Sequence, residues 1–150
     1  MLGGYSSKLS YCGISVWIDE KKLSKAYELY SNLFFEAQMN WGWHMFALCH
    51  EEKIIGYMSL SKEGDGAFEL HNLAVLPEFR HIGYGKILLD YAKDKVKSLG
   101  GSKIKIGIIE ESTVLKNWYI ANGFIHTGAE KFNHLPFTSG YLEWRGDELL

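Results

Sequence analysis

Leu70-His71-Asn72-Leu73-Ala74-Val75-Leu76, then Pro77-Glu78-Phe79, then Arg80-His81-Ile82-Gly83-Tyr84-Gly85, then the stretch from Lys86 to Leu99: this run decides the fold. The first seven residues are mainly apolar and read as a buried strand that Pro77 closes. From Lys86 onward, Ile87, Leu88, Tyr91, Ala92, Val96 and Leu99 recur at helical spacing, with Lys86, Asp90, Lys93, Asp94 and Lys97 on the opposite side. A glycine-bearing turn joins the two. Strand, tight turn and helix opening together make a cradle of backbone N–H groups that suits a pyrophosphate.

Upstream, Trp43 to Cys49 and Ile54 to Leu60 read as a hairpin around the polar turn His50-Glu51-Glu52-Lys53. A second turn, Ser61 to Gly66, carries Gly64-Asp65-Gly66 and leads into Ala67 to Leu76 as the third antiparallel strand of a meander. Before the hairpin, Leu23, Ala26, Tyr27, Tyr30, Leu33 and Phe34 form a helical stripe within Glu20 to Ala37. Downstream, Gly100-Gly101 stops the Lys86 helix. Lys103 to Ile109 reads as a strand whose expected partner is Leu70 to Leu76, parallel through a right-handed crossover. Thr113 to Ala121 returns to helical spacing with Ser112 as N-cap and Asn122-Gly123 as the stop. Phe124 to Thr127 and Ser139 to Trp144 are the final expected strands.

Composition narrows the function classes. The chain has 150 residues, 47% hydrophobic and 15% aromatic, the size of one compact domain, 1–150, able to bury a core. A net charge of −2 with 16 scattered Lys and Arg offers no basic stripe, so nucleic acid is not the expected partner. Met1 to Ser10 lacks a continuous apolar segment and nothing later approaches a membrane span, so the expectation is a cytoplasmic protein without a membrane partner. Cys12 and Cys49, far apart and outside any CxxC pair, read as free thiols. No histidine spacing suggests a metal site.

The glycine turn has rival readings. A dinucleotide fingerprint needs three glycines after the first strand of a βαβ unit, whereas only Gly83 and Gly85 lie here and a meander precedes them. A nucleotide-hydrolysing loop needs Ser or Thr after Gly-Lys, and Gly85-Lys86 is followed by Ile87. The bland reading, a tight turn and nothing more, stays open.

Leu73 to Arg80 followed by His81-Ile82-Gly83-Tyr84-Gly85 resembles the acetyl-CoA signature of the GNAT superfamily of acyl-CoA-dependent N-acetyltransferases, Q/R-x-x-G-x-G/A with its lead-in strand and proline. Tyr119-Ile120-Ala121-Asn122-Gly123-Phe124 resembles that family's later motif, a helix ending in Tyr, three residues and Gly-Phe. The resemblance spans roughly Phe68 to Phe124. It implies a mixed α/β fold with a central, mostly antiparallel sheet, one splayed parallel strand pair and flanking helices. It also implies acetyl-CoA as cosubstrate. By this resemblance His81, Ile82, Gly83, Tyr84, Gly85 and Lys86 hold the pyrophosphate through backbone amides, Arg80 opens the same cofactor-binding signature, and Leu73, Ala74 and Val75 pair with the pantetheine arm. Ser112 and Leu115 stand where the family often carries a pantetheine-contacting Asn and a small Ala.

The chemistry calls for particular groups. An alkylammonium with a pKa of about 10.4 must lose a proton before it attacks. Glu69, eleven residues before Arg80, matches the general-base glutamate of the family's histone-acetylating branch, and partial burial would raise its pKa usefully. An edge-of-sheet carboxylate or a substrate-binding anion are the alternatives. His71, two residues on, is a candidate relay or a packing residue. The tetrahedral oxyanion needs a backbone donor such as the N–H near Val75. Tyr119 is implied as proton donor to the departing coenzyme A thiolate, against a purely packing role beside Trp118.

The acceptor is less legible. Trp41, Trp43, Phe34 and Phe35 lie in the segment that covers the acceptor side in the family, or simply in the core. Glu51, Glu52, Asp65, Glu110 and Glu111 either favour a cationic amine or form a solvated surface. The partner expected is a small-molecule or peptide amine, with a homodimer left open. Two functional classes remain: an N-acetyltransferase working by direct attack, with no acyl-enzyme, or a non-catalytic acyl-CoA-binding sensor.

Overall fold

The computed structural model describes the backbone of residues 5–11 and 14–18 and the whole of residues 36–146. The strands are β1 (Tyr5–Tyr11), β2 (Ile14–Ile18), β3 (His44–His50), β4 (Lys53–Gly64), β5 (Ala67–Val75), β6 (Lys103–Ile109), β7 (Ile125–Lys131) and β8 (Thr138–Arg145). The helices are α1 (Tyr84–Ser98) and α2 (Thr113–Ala121). The stripe expected over Glu20 to Ala37 and the thiol of Cys12 fall largely or wholly outside the described residues; residues 36–40 are helical and Cys49 is a free thiol. Among the described residues no helix is long and apolar enough to cross a membrane. The chain divides into two compact units, Met1–Ser61 with His71–Ala92 and Lys62–Leu70 with Lys93–Leu150.

In the first unit β1, β2, β3 and β4 pair in order, each antiparallel to the next. The β3–β4 hairpin closes on Glu51 and Glu52 alone, with His50 opposite Lys53. Both loop residues are left-handed, φ 49° and 65°, which matches the twist of a two-residue hairpin. Phe46, Leu48, Ile55, Met58 and Leu60 of the hairpin and Leu88 and Leu89 of α1 are fully buried. Gly56 lets these layers meet: a Cβ there would lie 3.0 Å from Leu88 Cδ1 and 3.1 Å from the Ala74 carbonyl.

The second turn is shorter than its sequence suggests. β4 runs on to Gly64, and Asp65 (φ 50°) and Gly66 (φ 76°) complete the reversal. Lys62 and Glu63, which read as turn residues, are the exposed end of a strand. Asp-Gly tolerates the left-handed pair, so two residues suffice.

β5 changes character halfway. Phe68 and Leu70 are buried, but the next residues of the same parity, Asn72, Ala74 and Leu76, are exposed. Asn72 sits between these regimes with φ 59°. A left-handed residue inside a strand interrupts its regular alternation locally. Asn is among the few side chains that tolerate that conformation. The strand then closes on β4 through the Leu76 N–H to the Ile55 carbonyl at 2.8 Å.

In the second unit the strands follow the order β5-β6-β8-β7. β5 and β6 are parallel, as expected, but the register corrects the sequence reading. The rungs are Ala67↔Lys103, Phe68↔Ile104 and Glu69↔Lys105, not Leu70 to Leu76. The cause is where β6 starts: Ser102 donates to the Gly66 carbonyl at 2.8 Å, so the two strands set off level. β8 then runs antiparallel between β6 and β7. β7 extends to Lys131, beyond the Thr127 expected, because β8 offers it rungs as far as Thr138. The result is a mixed α/β fold, largely antiparallel with one parallel pair.

Both helices end in one device. At α1, Gly100 is left-handed at φ 82°, its N–H bonds Lys97 and the Gly101 N–H bonds Val96. At α2, Gly123 has φ 93°, its N–H bonds Ile120 and the Phe124 N–H bonds Tyr119. These are Schellman closures, which satisfy otherwise orphaned carbonyls. Helix α1 begins at Tyr84, three residues before the first residue of its apolar stripe, Ile87. Ser112 occupies the N-cap of α2, but its side chain makes no capping bond; its carbonyl accepts from Lys116 instead.

Asn72→Val should lower unfolding stability by about 1–2 kcal/mol, the cost of a branched left-handed residue, and Asn72→Gly should be near neutral. Urea unfolding of the three proteins checks this, and equal midpoints would contradict it.

Candidate active site

The stretch from Pro77 to Lys86 is built backward from its ends. A 3-10 turn, Pro77–Phe79, with proline at its first position, takes the chain out of β5. Arg80 Nε donates to the Val75 carbonyl at 2.8 Å, so this side chain ties the loop to the strand it has just left. His81 (φ 65°) and Gly83 (φ 100°) are both left-handed. Gly83 acts as N-cap of α1, its carbonyl accepting from Ile87 at 3.2 Å. The N–H groups of Tyr84, Gly85 and Lys86 therefore have no partner within the helix. The first turn contains no carboxylate, and a Cβ on Gly83 would meet nothing within 4 Å. An open, positively polarised helix end is the arrangement that holds phosphate. The Lys86 side chain is drawn away along the helix to Asp90 at 2.6 Å, leaving its backbone as the contribution.

An aromatic brace underlies this loop, and sequence reasoning missed it. Phe79 and Tyr84 meet edge to face with centroids 6.0 Å apart, and His50 packs against both at 6.2 and 6.1 Å. Lys53 Nζ lies 5.4 Å from the centre of the Phe79 ring and 3.8 Å from Glu78. Phe79 stands inside the acetyl-CoA signature, but no spacing links it to His50.

Tyr119 is buried in α2, ring to ring with Trp118 at 4.9 Å and with Phe124 at 5.3 Å. Burial pushes its hydroxyl up to a pKa of about 12. Leu115 is exposed and Ser112 half-buried in the same helix region. The loop before α2 is held by Glu110, whose carboxylate takes Lys116 Nζ and His126 Nε2, each at 2.9 Å. These hydrogen bonds, Lys116 first, hold the Glu110 carboxyl below its ordinary value. Gly140 makes room: a Cβ there would lie 3.2 Å from Glu110 Cα. Glu111 accepts from the Thr138 N–H at 3.2 Å.

Glu69 is half-buried and lines a cavity of about 390 Å³ in the second unit, with Glu63, Lys105, Tyr141 and Glu143 around it. The five acidic residues singled out from sequence stand elsewhere: Glu51 and Glu52 at one hairpin tip, Asp65 at the next, Glu110 and Glu111 in the loop before α2. Of the four aromatic candidates, Phe34 and Phe35 lie outside the described residues. Trp41 is 61% exposed, and Trp43 stacks on His71 with centroids 4.1 Å apart and planes 11° apart. His71 Nε2 lies 2.8 Å from the Ser61 hydroxyl, so this ring is packed and hydrogen-bonded.

The family model "Acetyltransferase (GNAT) family" matches residues 15–124. The chain belongs to that family. An Escherichia coli ribosomal-protein-S18-alanine N-acetyltransferase is 17% identical with a TM-score of 0.73, covering 88% of this chain and 92% of its own. A GNAT family acetyltransferase from Elizabethkingia anophelis with acetyl-CoA bound is 20% identical with a TM-score of 0.71, covering 90% and 99%. A Bacillus subtilis acetyltransferase in complex with CoA is 20% identical with a TM-score of 0.66, covering 77% and 84%. At such identities the likeness is one of fold. In this GNAT chain the signature region Arg80–Lys86 and the Gly-Phe helix end both adopt backbone conformations that depend on their glycines.

The Glu110 tether carries a pH prediction. A carboxyl lowered by folding stabilises the protein above its ordinary value of 4.5, and that contribution disappears as pH falls through the lowered value. Thermal unfolding between pH 6 and about pH 3 should therefore show wild type losing its advantage over Glu110→Gln toward the acid end. A gap that stays constant with pH would show that the charge contributes nothing.

Proposed function

We propose that this protein transfers the acetyl group of acetyl-CoA to a primary amine, the whole chain working as one acetyltransferase domain. The observation that carries this reading is the opening of α1: left-handed Gly83 as N-cap, three open N–H groups and no carboxylate in the first turn. Family membership and the acetyl-CoA and CoA complexes among fold neighbours support the same cosubstrate. In this reading the backbone of His81 to Lys86 cradles the pyrophosphate, and Leu73 to Val75 offer strand edges to the pantetheine. The acceptor is a small-molecule or peptide amine that attacks the thioester directly.

The proton inventory is simple. The ammonium gives a proton to Glu69, directly or through water or His71, and the free amine forms the N–C bond as the C–S bond breaks. The leaving thiolate has an ordinary pKa near 8.5, so it departs readily. Tyr119, at about 12, is too weak an acid to protonate that sulfur fully. Its role is a hydrogen bond to the sulfur as charge develops there. It remains protonated across the working range and contributes no limb to a pH–rate profile.

Calorimetric titration with acetyl-CoA should show saturable binding, and Gly83→Glu should weaken it by roughly 100-fold, about 2.7 kcal/mol, through side-chain charge and left-handed strain. Thiol release with an amine panel is the second assay. Tyr119→Phe should lower kcat by about 100-fold with the pH profile unchanged in shape, and Glu69→Gln should lower kcat by about 100-fold while acetyl-CoA affinity holds. Binding without turnover of any amine would support a sensor instead, and no binding would withdraw the reading.

A further inference from the structure

Lys93 reads in the sequence as one of the polar residues on the outer side of α1, yet it is half-buried and turned toward the end of α2. Its Nζ donates to the Asn122 carbonyl at 2.5 Å. The same ammonium lies 5.9 Å from the centre of the Phe124 ring and 5.7 Å from that of Trp144, and both rings are buried. Gly123 stands against this group: a Cβ there would lie 3.6 Å from Lys93 Nζ and 3.6 Å from Trp144 Cδ1. Lys97 Nζ, one turn further along α1, is 5.5 Å from the Trp144 ring centre.

An ammonium suits this place. The last carbonyls of a helix lack intrahelical partners and carry the negative end of its dipole, so a cation there is favoured on both counts. α2 has 9 residues, and a helix that short does not hold itself together in water. Its last turn frays unless contacts from outside secure it. Lys93 supplies two, a hydrogen bond to the Asn122 carbonyl and a charge against the Phe124 ring. Tyr119 is tied to both residues. Its carbonyl accepts from the Asn122 N–H and from the Phe124 N–H, each at 3.0 Å, and its ring meets Phe124 edge to face at 5.3 Å.

We propose that Lys93 is a positioning residue for Tyr119: its ammonium clamps the end of α2 and thereby fixes where the Tyr119 hydroxyl stands. This rests on the acetyltransferase reading above, in which that hydroxyl donates a hydrogen bond to the sulfur of coenzyme A. Hydrogen bonds weaken steeply with misalignment, so a loosened helix end is felt at the sulfur through Tyr119. The role belongs to the charge of Lys93 and not to its stem, because the carbonyl and both ring faces all respond to a cation.

The test needs no acceptor. Coenzyme A is bound to the full chain, and the pH at which its thiol ionises is read from thiolate absorbance. Tyr119→Phe should raise that pH by about one, a tenfold change, the worth of one hydrogen bond to a charged group. Lys93→Met, which keeps the stem and removes the charge, should raise it by roughly half as much, and Lys93→Arg, which restores a charged donor, should bring it back toward wild type. The double variant should go no further than Tyr119→Phe alone, because both changes act on one hydrogen bond. Coenzyme A affinity should hold throughout. A thiol unmoved by Lys93→Met, or a double variant in which the two changes add, would overturn the proposal even where Lys93→Met melts at a lower temperature. Should Lys93→Met not fold, Lys93→Gln, shorter and uncharged, is held to the same criteria. A thiol unmoved by Tyr119→Phe overturns the proposal while coenzyme A binding stands. Failure of wild type to bind coenzyme A is a different result, which withdraws the acetyltransferase reading and this proposal together.

Discussion

One backbone angle, the left-handed φ of Asn72, lets β5 serve two different neighbours. A regular strand keeps one alternation along its length, and β5 does not: its even-numbered residues pass from buried to exposed at Asn72. The first three residues of β5 form the parallel ladder with β6, and the last lead toward the Arg80 loop. The Leu76 bond to Ile55 and the Arg80 bond to Val75 fix that end.

The chemistry-bearing groups fall into two physical kinds. In the proposed reading the working atoms at the α1 opening are backbone N–H groups, so side-chain identity matters only where it permits the conformation, at Gly83 above all. At Glu69 and Tyr119 the same proposal relies on side chains, and their surroundings set their behaviour. The Tyr119 hydroxyl is held protonated by the packing of Trp118 and Phe124 around it. The charge network of Glu110, Lys116 and His126 steadies the loop that leads into the Tyr119 helix without entering the reaction.

Local signals in the sequence translated well into structure. The stop glycines of both helices, the bounds of α2 and the β3–β4 hairpin depend on residues within a few positions of each other, and these were legible. Register was not. Pairing between β5 and β6 is set by Ser102 reaching Gly66, a contact across 36 residues that periodicity cannot see. The Glu69 cavity draws on five strands, and two of its carboxylates, Glu63 and Glu143, each look like an ordinary surface residue in their own segments. The one readable hint was the interruption of Lys-Ile-Lys-Ile by Gly107. The aromatic brace under the loop was invisible for the same reason, since His50 is far from Phe79 and Tyr84 in sequence.

The β3–β4 hairpin turns through two glutamates in a conformation that Asn-Gly adopts with ease. Each left-handed glutamate costs on the order of 1 kcal/mol in backbone sterics. Their charges add mutual repulsion at an exposed tip. The protein thus keeps a small reserve of unrealised stability in two adjacent residues, next to His50 and its ring contacts with Phe79 and Tyr84. Evolutionary drift or deliberate engineering could draw on that reserve through Glu51→Asn with Glu52→Gly. The fold has room to absorb destabilising changes elsewhere, in the cavity walls for instance, while the ring contacts of His50 with Phe79 and Tyr84 are preserved.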